Sequence, residues 1–311
     1  MGPGRSRLTD TLLSRMGAAR SLLVQAPVTL LFPEAFLDAF YRAGNHQAKG
    51  RPALTLSFDV DYRADVEALP ELLSLLRPYP FKASFAIIGR WVEEYPDLHR
   101  LILDEGHEVM NHSYSHPNSE ELNPHRRFNE LSPGEQSEEI ERCHDVCTRL
   151  LGVDLKGFRT PHFGNLHTDA LYPILRRLGY TFCSSQVAVR SPSFGQPYQV
   201  DGIWEFPVTT CPRHPFAVFD TWHCFRPQGG RHKDPAEFRN LFNWLVDAGI
   251  EYGAYINLYF DPRHAVSLDT LRPCLDCIAA HQRVMSVGTY AEMVDGLQQL
   301  GDDGPQRTRL P

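Results

Sequence analysis

The 311-residue chain has no uninterrupted apolar run near the ~20 residues that a membrane-crossing helix needs. It has no basic surplus either. Lys and Arg number 31 against 38 Asp and Glu, a formal net charge of -7. That balance argues against a general binder of nucleic acid or of anionic membranes, both of which require positive surface. Cysteine is sparse and odd in number, seven in all, so a disulfide scaffold is not expected. Cys274 and Cys277 form a CxxC, but no second ligand pair accompanies them. With Cys143 and Cys147, four apart, they read as small apolar residues on buried helix faces. A convincing leader is also missing. Arg5, Arg7, Arg15 and Arg20 precede the run SLLVQAPVTLLF, which Gln25 and Pro27 interrupt and which lacks a small-residue cleavage site. A cytoplasmic location is the expectation.

What is present is an alternation of strand-like and helix-like segments without internal repeats. ALTLSF (53–58), ASFAIIG (83–89), HEVMNH (107–112), KGFRT, YTFCSS, IWEFPVT and a long EYGAYINLYF (251–260) read as strands. Helical spacing lies between them, over about Asp65 to Arg77, 91–105, Asp169 to Leu178, Pro235 to Ala248 and Leu268 to Gln282. Ser132-Pro-Gly-Glu135 predicts a capped helix start with proline at the first helical position, and Thr289 with Glu292 predicts another. The pattern predicts an α/β fold, a barrel or doubly wound sheet of mostly parallel strands. Residues 1–50 are expected to form a helical extension, 51–300 the α/β body and 301–311 a polar tail.

Three stretches carry chemistry. In TLSFDVDYR (55–63), Asp59 and Asp61 share one side of a strand end. Two adjacent carboxylates repel unless a cation neutralises one of them. In NHSYSH (111–116), His112 and His116 are four apart, and one helical turn after the strand would place both imidazoles on one face. Two histidines and a carboxylate leave open coordination positions, the layout of a catalytic metal site. The other aspartate, held off the metal, could accept a proton from water. In GFRTPHFGN (157–165), Arg159 is placed to hold that aspartate ionised, or else forms an ordinary ion pair.

Together the three stretches resemble the polysaccharide deacetylase family, the NodB-homology carbohydrate esterases of family four. The resemblance runs from about Ala53 to the helix near Thr289. SFDVD looks like the first motif, HSYSH the second and RTPHF the third. It implies a distorted (β/α) barrel of about seven strands and hydrolysis of an amide, usually an N-acetyl group on a sugar. It implies Asp61, His112 and His116 as ligands of one divalent metal ion, usually zinc, with cobalt or another ion as alternatives. Asp59 would be the base and Arg159 would orient it, with Pro161 and His162 beside the substrate. Trp204, with Asp201, matches a fourth motif loosely. Leu258 fits the fifth as the residue lining the acyl pocket, but Phe260 stands where the family usually has histidine. Asp261, His264 or His223 would then supply the acid.

The reading is thus a metal-dependent hydrolase of a non-peptide C–N bond, an N-deacetylase or N-deformylase acting on a small N-acylated, amino-sugar-like molecule, with no nucleic-acid or membrane partner. A cyclic amide or imide hydrolase is the alternative, and a non-catalytic metal- or sugar-binding barrel a third. An Fe(II) oxygenase would pair two histidines with a carboxylate in an all-β setting, which the β–α alternation disfavours.

Overall fold

The computed structural model describes residues 31–48, 51–162, 170–226, 234–268 and 270–302. Residues 1–30 of the expected helical extension and the polar tail after 302 lie outside the described residues, as does the start of the expected helix from Asp169. The elements run α1 (Pro33–Ala48), β1 (Ala53–Val60), α2 (Arg63–Leu76), β2 (Ser84–Ile87), α3 (Gly89–Glu94), α4 (Pro96–Asp104), β3 (Glu108–Asn111) and α5 (Pro133–Leu151). They continue with β4 (Gly157–Phe158), α6 (Leu171–Arg177), β5 (Phe182–Cys183), β6 (Tyr198–Val200), β7 (Ile203–Glu205), α7 (Thr221–Phe225) and α8 (Pro235–Tyr252). The last are β8 (Tyr255–Phe260), α9 (Pro262–Ser267), α10 (Leu271–His281), β9 (Ser286–Val287) and α11 (Tyr290–Asp302).

The strands lie in the order β6-β7-β5-β4-β3-β2-β1-β8, with β9 added beside the start of β1. Every pairing is parallel except β6 with β7. The seven parallel strands from β7 to β8 are those of a (β/α) barrel. The gap between its two ends is closed by the chain that follows β7. There Val208 N donates to Gln186 O at 2.7 Å on one side, and Thr209 N donates to Asn257 O at 2.9 Å on the other.

Alternation along the strands sorts the side chains. In β1, Leu54, Leu56, Phe58 and Val60 join the large apolar core that includes Leu69, Leu72 and Leu73 of α2. Thr55, Ser57 and Asp59 face the other way, into the barrel. Burying the outer apolar row between sheet and helices drives the fold, at roughly 1.5–3 kcal/mol for each large side chain fully removed from water. Helix α1 shares this core through Phe36, Leu37, Phe40 and Tyr41, and Tyr41 meets Trp244 of α8. A second apolar cluster inside the barrel is formed by Ala86, Met110, Phe182, Phe206, Tyr255, Tyr290 and Val294.

Several segments differ from the sequence expectation. The helix expected over 91–105 breaks at Tyr95, because Pro96 opens a new helix in its first turn. The segment 251–260 is a strand only from Tyr255. Helix α8 runs through Gly249 to Tyr252 and ends on Gly253, whose φ of 60° is the left-handed cap that glycine adopts without strain. The Ser132–Glu135 capping box is present, with Glu135 N donating to Ser132 Oγ at 3.3 Å and Ser132 N to Glu135 Oε2 at 2.8 Å. The seven cysteines are free, and all but the half-buried Cys277 are buried. Among the described residues no helix is long and apolar enough to cross a membrane.

Candidate metal centre and active site

The C-terminal ends of β1, β3 and β4 deliver the three motifs to one rim, the face on which barrels of this kind carry their sites. Asp59 and Asp61 leave β1, His112 follows β3 and Arg159 follows β4. Gly157 precedes Arg159 for a steric reason: a Cβ there would stand 1.9 Å from the Phe182 ring.

Asp61 Oδ1 lies 3.2 Å from His112 Nε2 and 3.5 Å from His116 Nε2. The histidines do not share a helical turn, as their spacing suggests. Ser113 and His116 have φ of 66° and 48°, and the loop is tied by side chains. Ser113 N donates to Asn111 Oδ1 at 2.8 Å, and His116 N donates to Ser113 Oγ at 3.0 Å. These local bonds turn the chain so that the two rings approach edge-on with centroids 4.8 Å apart.

The trio fits a divalent cation. Buried Asp61 Oδ1 and His116 Nε2 have no hydrogen-bond partner of their own, a costly arrangement unless something else occupies the space between them. A tetrahedral zinc with bonds of about 2.0–2.2 Å sets its oxygen and nitrogen donors about 3.4 Å apart, close to the spacings here. His112 Nδ1 lies 2.8 Å from Arg159 O, which leaves Nε2 to face Asp61. Burial holds the His116 imidazole down, to about 3, against the pull of Asp61, so it is neutral as a ligand must be. Burial pushes Asp61 upward, but His116 and His112 outweigh it and keep the carboxylate below its ordinary range.

Asp59 is set apart from the trio. Its Oδ2 is 4.0 Å from His112 Nε2, and its Oδ1 accepts from Arg159 Nη1 at 2.5 Å. Burial lifts its carboxyl, to about 6, against the lowering effect of Arg159 and His112. Arg159 is fully buried and braced by groups the sequence did not single out. Its Nη1 also donates to Ser57 Oγ at 3.0 Å and its Nη2 to Ser184 Oγ at 3.1 Å. Nη2 bonds the Tyr290 hydroxyl as well, and that hydroxyl donates to Asn257 Oδ1 at 2.6 Å. The period-2 placement of Ser57 and Asp59 on β1 was the available signal. Tyr290, far along the chain, gave none. Trp91 supports the first motif from outside, donating Nε1–H to Asp61 O at 3.0 Å.

The other predicted residues divide. Pro161 is buried, and His162 sits beside the trio with its ring centroid 5.0 Å from that of His116. Trp204 pairs with Phe182 and packs against the second apolar cluster inside the barrel, while Asp201 is exposed in the β6–β7 turn. The aromatic wall near Asp61 is instead Trp222 stacked on Tyr62, with centroids 5.9 Å apart.

Leu258 does not line the site either. It and Phe260 lie on the outer face of β8 in the apolar core, and Phe260 touches Phe58, Phe238 and Phe242. The inward series is Asn257, Tyr259 and then Asp261, whose backbone is still extended. The sequence reading placed the strand one residue out of phase, because LYFDP offers apolar residues on both faces.

Of the three candidate acids, Asp261 is buried, with Oδ2 2.6 Å from Thr221 Oγ1 and 3.2 Å from His264 Nδ1. His264 is thereby turned toward Asp261, and His223 faces His214, 3.3 Å away. Asp220, which the sequence did not flag, is buried at the start of α7 and accepts His223 N–H at 2.6 Å. Burial, reinforced by Asp261 and Asp59, holds its carboxyl well above the usual range.

Residues 46–183, which contain all three motifs, match the polysaccharide deacetylase family. The peptidoglycan-N-acetylglucosamine deacetylase of Bacillus cereus is 32% identical over 114 residues, 37% of this chain and 37% of that protein. The peptidoglycan-N-acetylmuramic acid deacetylase PdaA of Bacillus subtilis is 35% identical over 80 residues, 26% of this chain and 28% of that protein. These curated relatives are therefore matched over well under half of their own length. A Mycobacterium smegmatis protein assigned to the polysaccharide deacetylases has the same fold, with a TM-score of 0.68 and 17% identity over 81% of this chain and 92% of that one. The three motifs gathered at the rim of the barrel all lie within residues 46–183, the part of the chain that matches the polysaccharide deacetylase family.

Proposed function

We propose that this protein is a metal-dependent N-deacetylase that hydrolyses the acetamide of an amino-sugar unit, with zinc held by Asp61, His112 and His116. The observation that carries the reading is the separation of the two carboxylates. Asp61 faces two imidazoles, and Asp59 is turned away to Arg159. A cation bound at Asp61 would acidify a water and polarise the amide carbonyl. Asp59, kept ionised by Arg159 at Oδ1, has Oδ2 available to take a proton from that water. The leaving amine must be protonated to depart. Asp220 is the candidate for this, since burial, reinforced by Asp261 and Asp59, raises its carboxyl well above the usual carboxylate range and so favours its protonated form. The relatives' names share one unit, an N-acetylated hexosamine, which supports a carbohydrate amide over a cyclic imide.

The test is release of acetate by zinc-loaded protein from N-acetylglucosamine and from its oligomers. Acetate from the monomer supports a small metabolite as substrate, and acetate from oligomers alone supports a polymer. Ring opening of cyclic imides without acetate would favour the alternative hydrolase. Bound zinc with no turnover of either class would make the barrel a binding module and overturn the proposal.

A further inference from the structure

A second set of donors lies away from the Asp61 site, on the chain between the barrel-closing segment and β8. A short hairpin is built there. Thr210 pairs antiparallel with Val218, Phe219 N donates to Thr209 O at 2.9 Å, and Cys211 N donates to Ala217 O at 2.8 Å. Cys211 and His214 sit in its turn, and helix α7 then brings His223 back over them. Cys211 Sγ lies 3.7 Å from His214 Nδ1, and His214 Nδ1 lies 3.3 Å from His223 Nε2. The three donor atoms are all within 4.8 Å of one another. We propose that Cys211, His214 and His223 form a second metal site, of the zinc class, that fixes this hairpin to α7.

The spacings carry the argument. A tetrahedral zinc with bonds of about 2.0–2.1 Å to nitrogen and about 2.3 Å to sulfur sets two nitrogens about 3.3 Å apart and sulfur about 3.6 Å from nitrogen. The observed 3.3 and 3.7 Å reproduce both. Hydrogen bonding among the three accounts for the arrangement less well. An imidazole nitrogen has one in-plane lone pair or one hydrogen, so His214 Nδ1 cannot bond well to both neighbours at once. The imidazoles meet edge-on, at 72°, as rings aimed at a shared point do. One thiolate with two imidazoles selects a borderline-soft ion such as zinc over calcium or magnesium. Both histidines are only half-buried, so water can complete the coordination.

The site would act through position. Trp222 precedes His223 and stacks on Tyr62, whose neighbour is Asp61. Arg213, between the two turn ligands, pairs with Glu237 of α8 at 3.1 Å. An ion here would therefore clamp the wall of the active site to the barrel without touching substrate.

The test uses the full chain, stripped with chelator and reloaded. Zinc analysis should give two equivalents, falling to one in Cys211→Ser and to one in His116→Ala. Cobalt loading should give a thiolate-to-metal charge-transfer band in the near ultraviolet, kept in His116→Ala and in Cys277→Ser and lost in Cys211→Ser. The Asp61 site has no sulfur and cannot produce that band. If Cys211→Ser fails to fold, the His116→Ala protein still decides, because it must hold one equivalent with the band. A single equivalent in the wild type that His116→Ala abolishes, or a cobalt spectrum without the band, overturns the proposal. Neither result depends on turnover.

Discussion

Arg159 and Asp59, 100 residues apart in sequence, meet inside the barrel at 2.5 Å, and both are almost entirely shielded from water. The guanidinium spans Asp59, Ser57, Ser184 and Tyr290 together, which a lysine ammonium, a compact point charge, cannot do. Arg159→Ala leaves Asp59 buried and uncompensated. It should lower unfolding stability in urea by about 3–5 kcal/mol. Arg159→Lys should fold with a smaller loss and still lose most acetate release.

The split between Asp59 and Asp61 predicts opposite metal phenotypes. Asp59→Asn should keep the zinc of the Asp61 site and lose activity by about 10²-fold or more. His112→Ala should lose that zinc while circular dichroism still reports a folded barrel. Zinc loss in Asp59→Asn, measured by the same metal analysis, would make Asp59 a ligand.

Asp220 can be tested without breaking its helix cap, because asparagine still accepts His223 N–H. Asp220→Asn should reduce turnover by about 10²–10⁴-fold and abolish the alkaline limb of the pH–rate profile. If it leaves both unchanged while Asp261→Asn removes them, Asp261 is the acid.

Phe260 is the residue at which sequence and structure part most clearly. It packs among Phe58, Phe238 and Phe242 on the outer face of β8. Phe260→Ala should cost about 3–5 kcal/mol of stability through the cavity it leaves. Phe260→His should destabilise without raising turnover. A gain in turnover would place residue 260 at the active site after all.

His99 gives the fold an acid-sensitive point. Its Nδ1 lies 2.8 Å from Tyr95 O, and burial holds the imidazole down, to about 4. Unfolded, it titrates near 6.5. Between those values the unfolded chain binds a proton that the folded chain excludes. Stability therefore falls as pH drops from about 6.5 to about 4 and levels off below. His107, also held at about 4 by burial, adds to this slope, and buried Glu108, raised to about 7, opposes it. Subtracting the urea-unfolding profile of His99→Leu from that of the wild type isolates the His99 share, up to about 3 kcal/mol at pH 4.

The legible parts of this protein were those governed by local rules. Ser132 and Glu135 capped their helix as read, because a capping box needs only its own four residues. The apolar row Leu54, Leu56, Phe58 and Val60 fixed the facing of β1, so Asp59 was legible as a barrel-interior group. Strand β8 was not legible in the same way. Tyr255 to Phe260 is apolar or aromatic at five of six positions, so neither face is marked. Its phase is set by the apolar core on one side and by Ser184, Phe206 and Tyr290 on the other.

The alternation of strand and helix, the three motifs and the ligand types they bring are all written locally, since each depends on spacing within a few residues. Tertiary packing alone sets Trp222 on Tyr62 beside Asp61, brings Tyr290 of the last helix onto Arg159, and gathers Cys211, His214 and His223. These contacts join distant parts of the chain. Curling the sheet and closing it through Thr209 and Asn257 brings those parts within reach, and no local pattern encodes that distance.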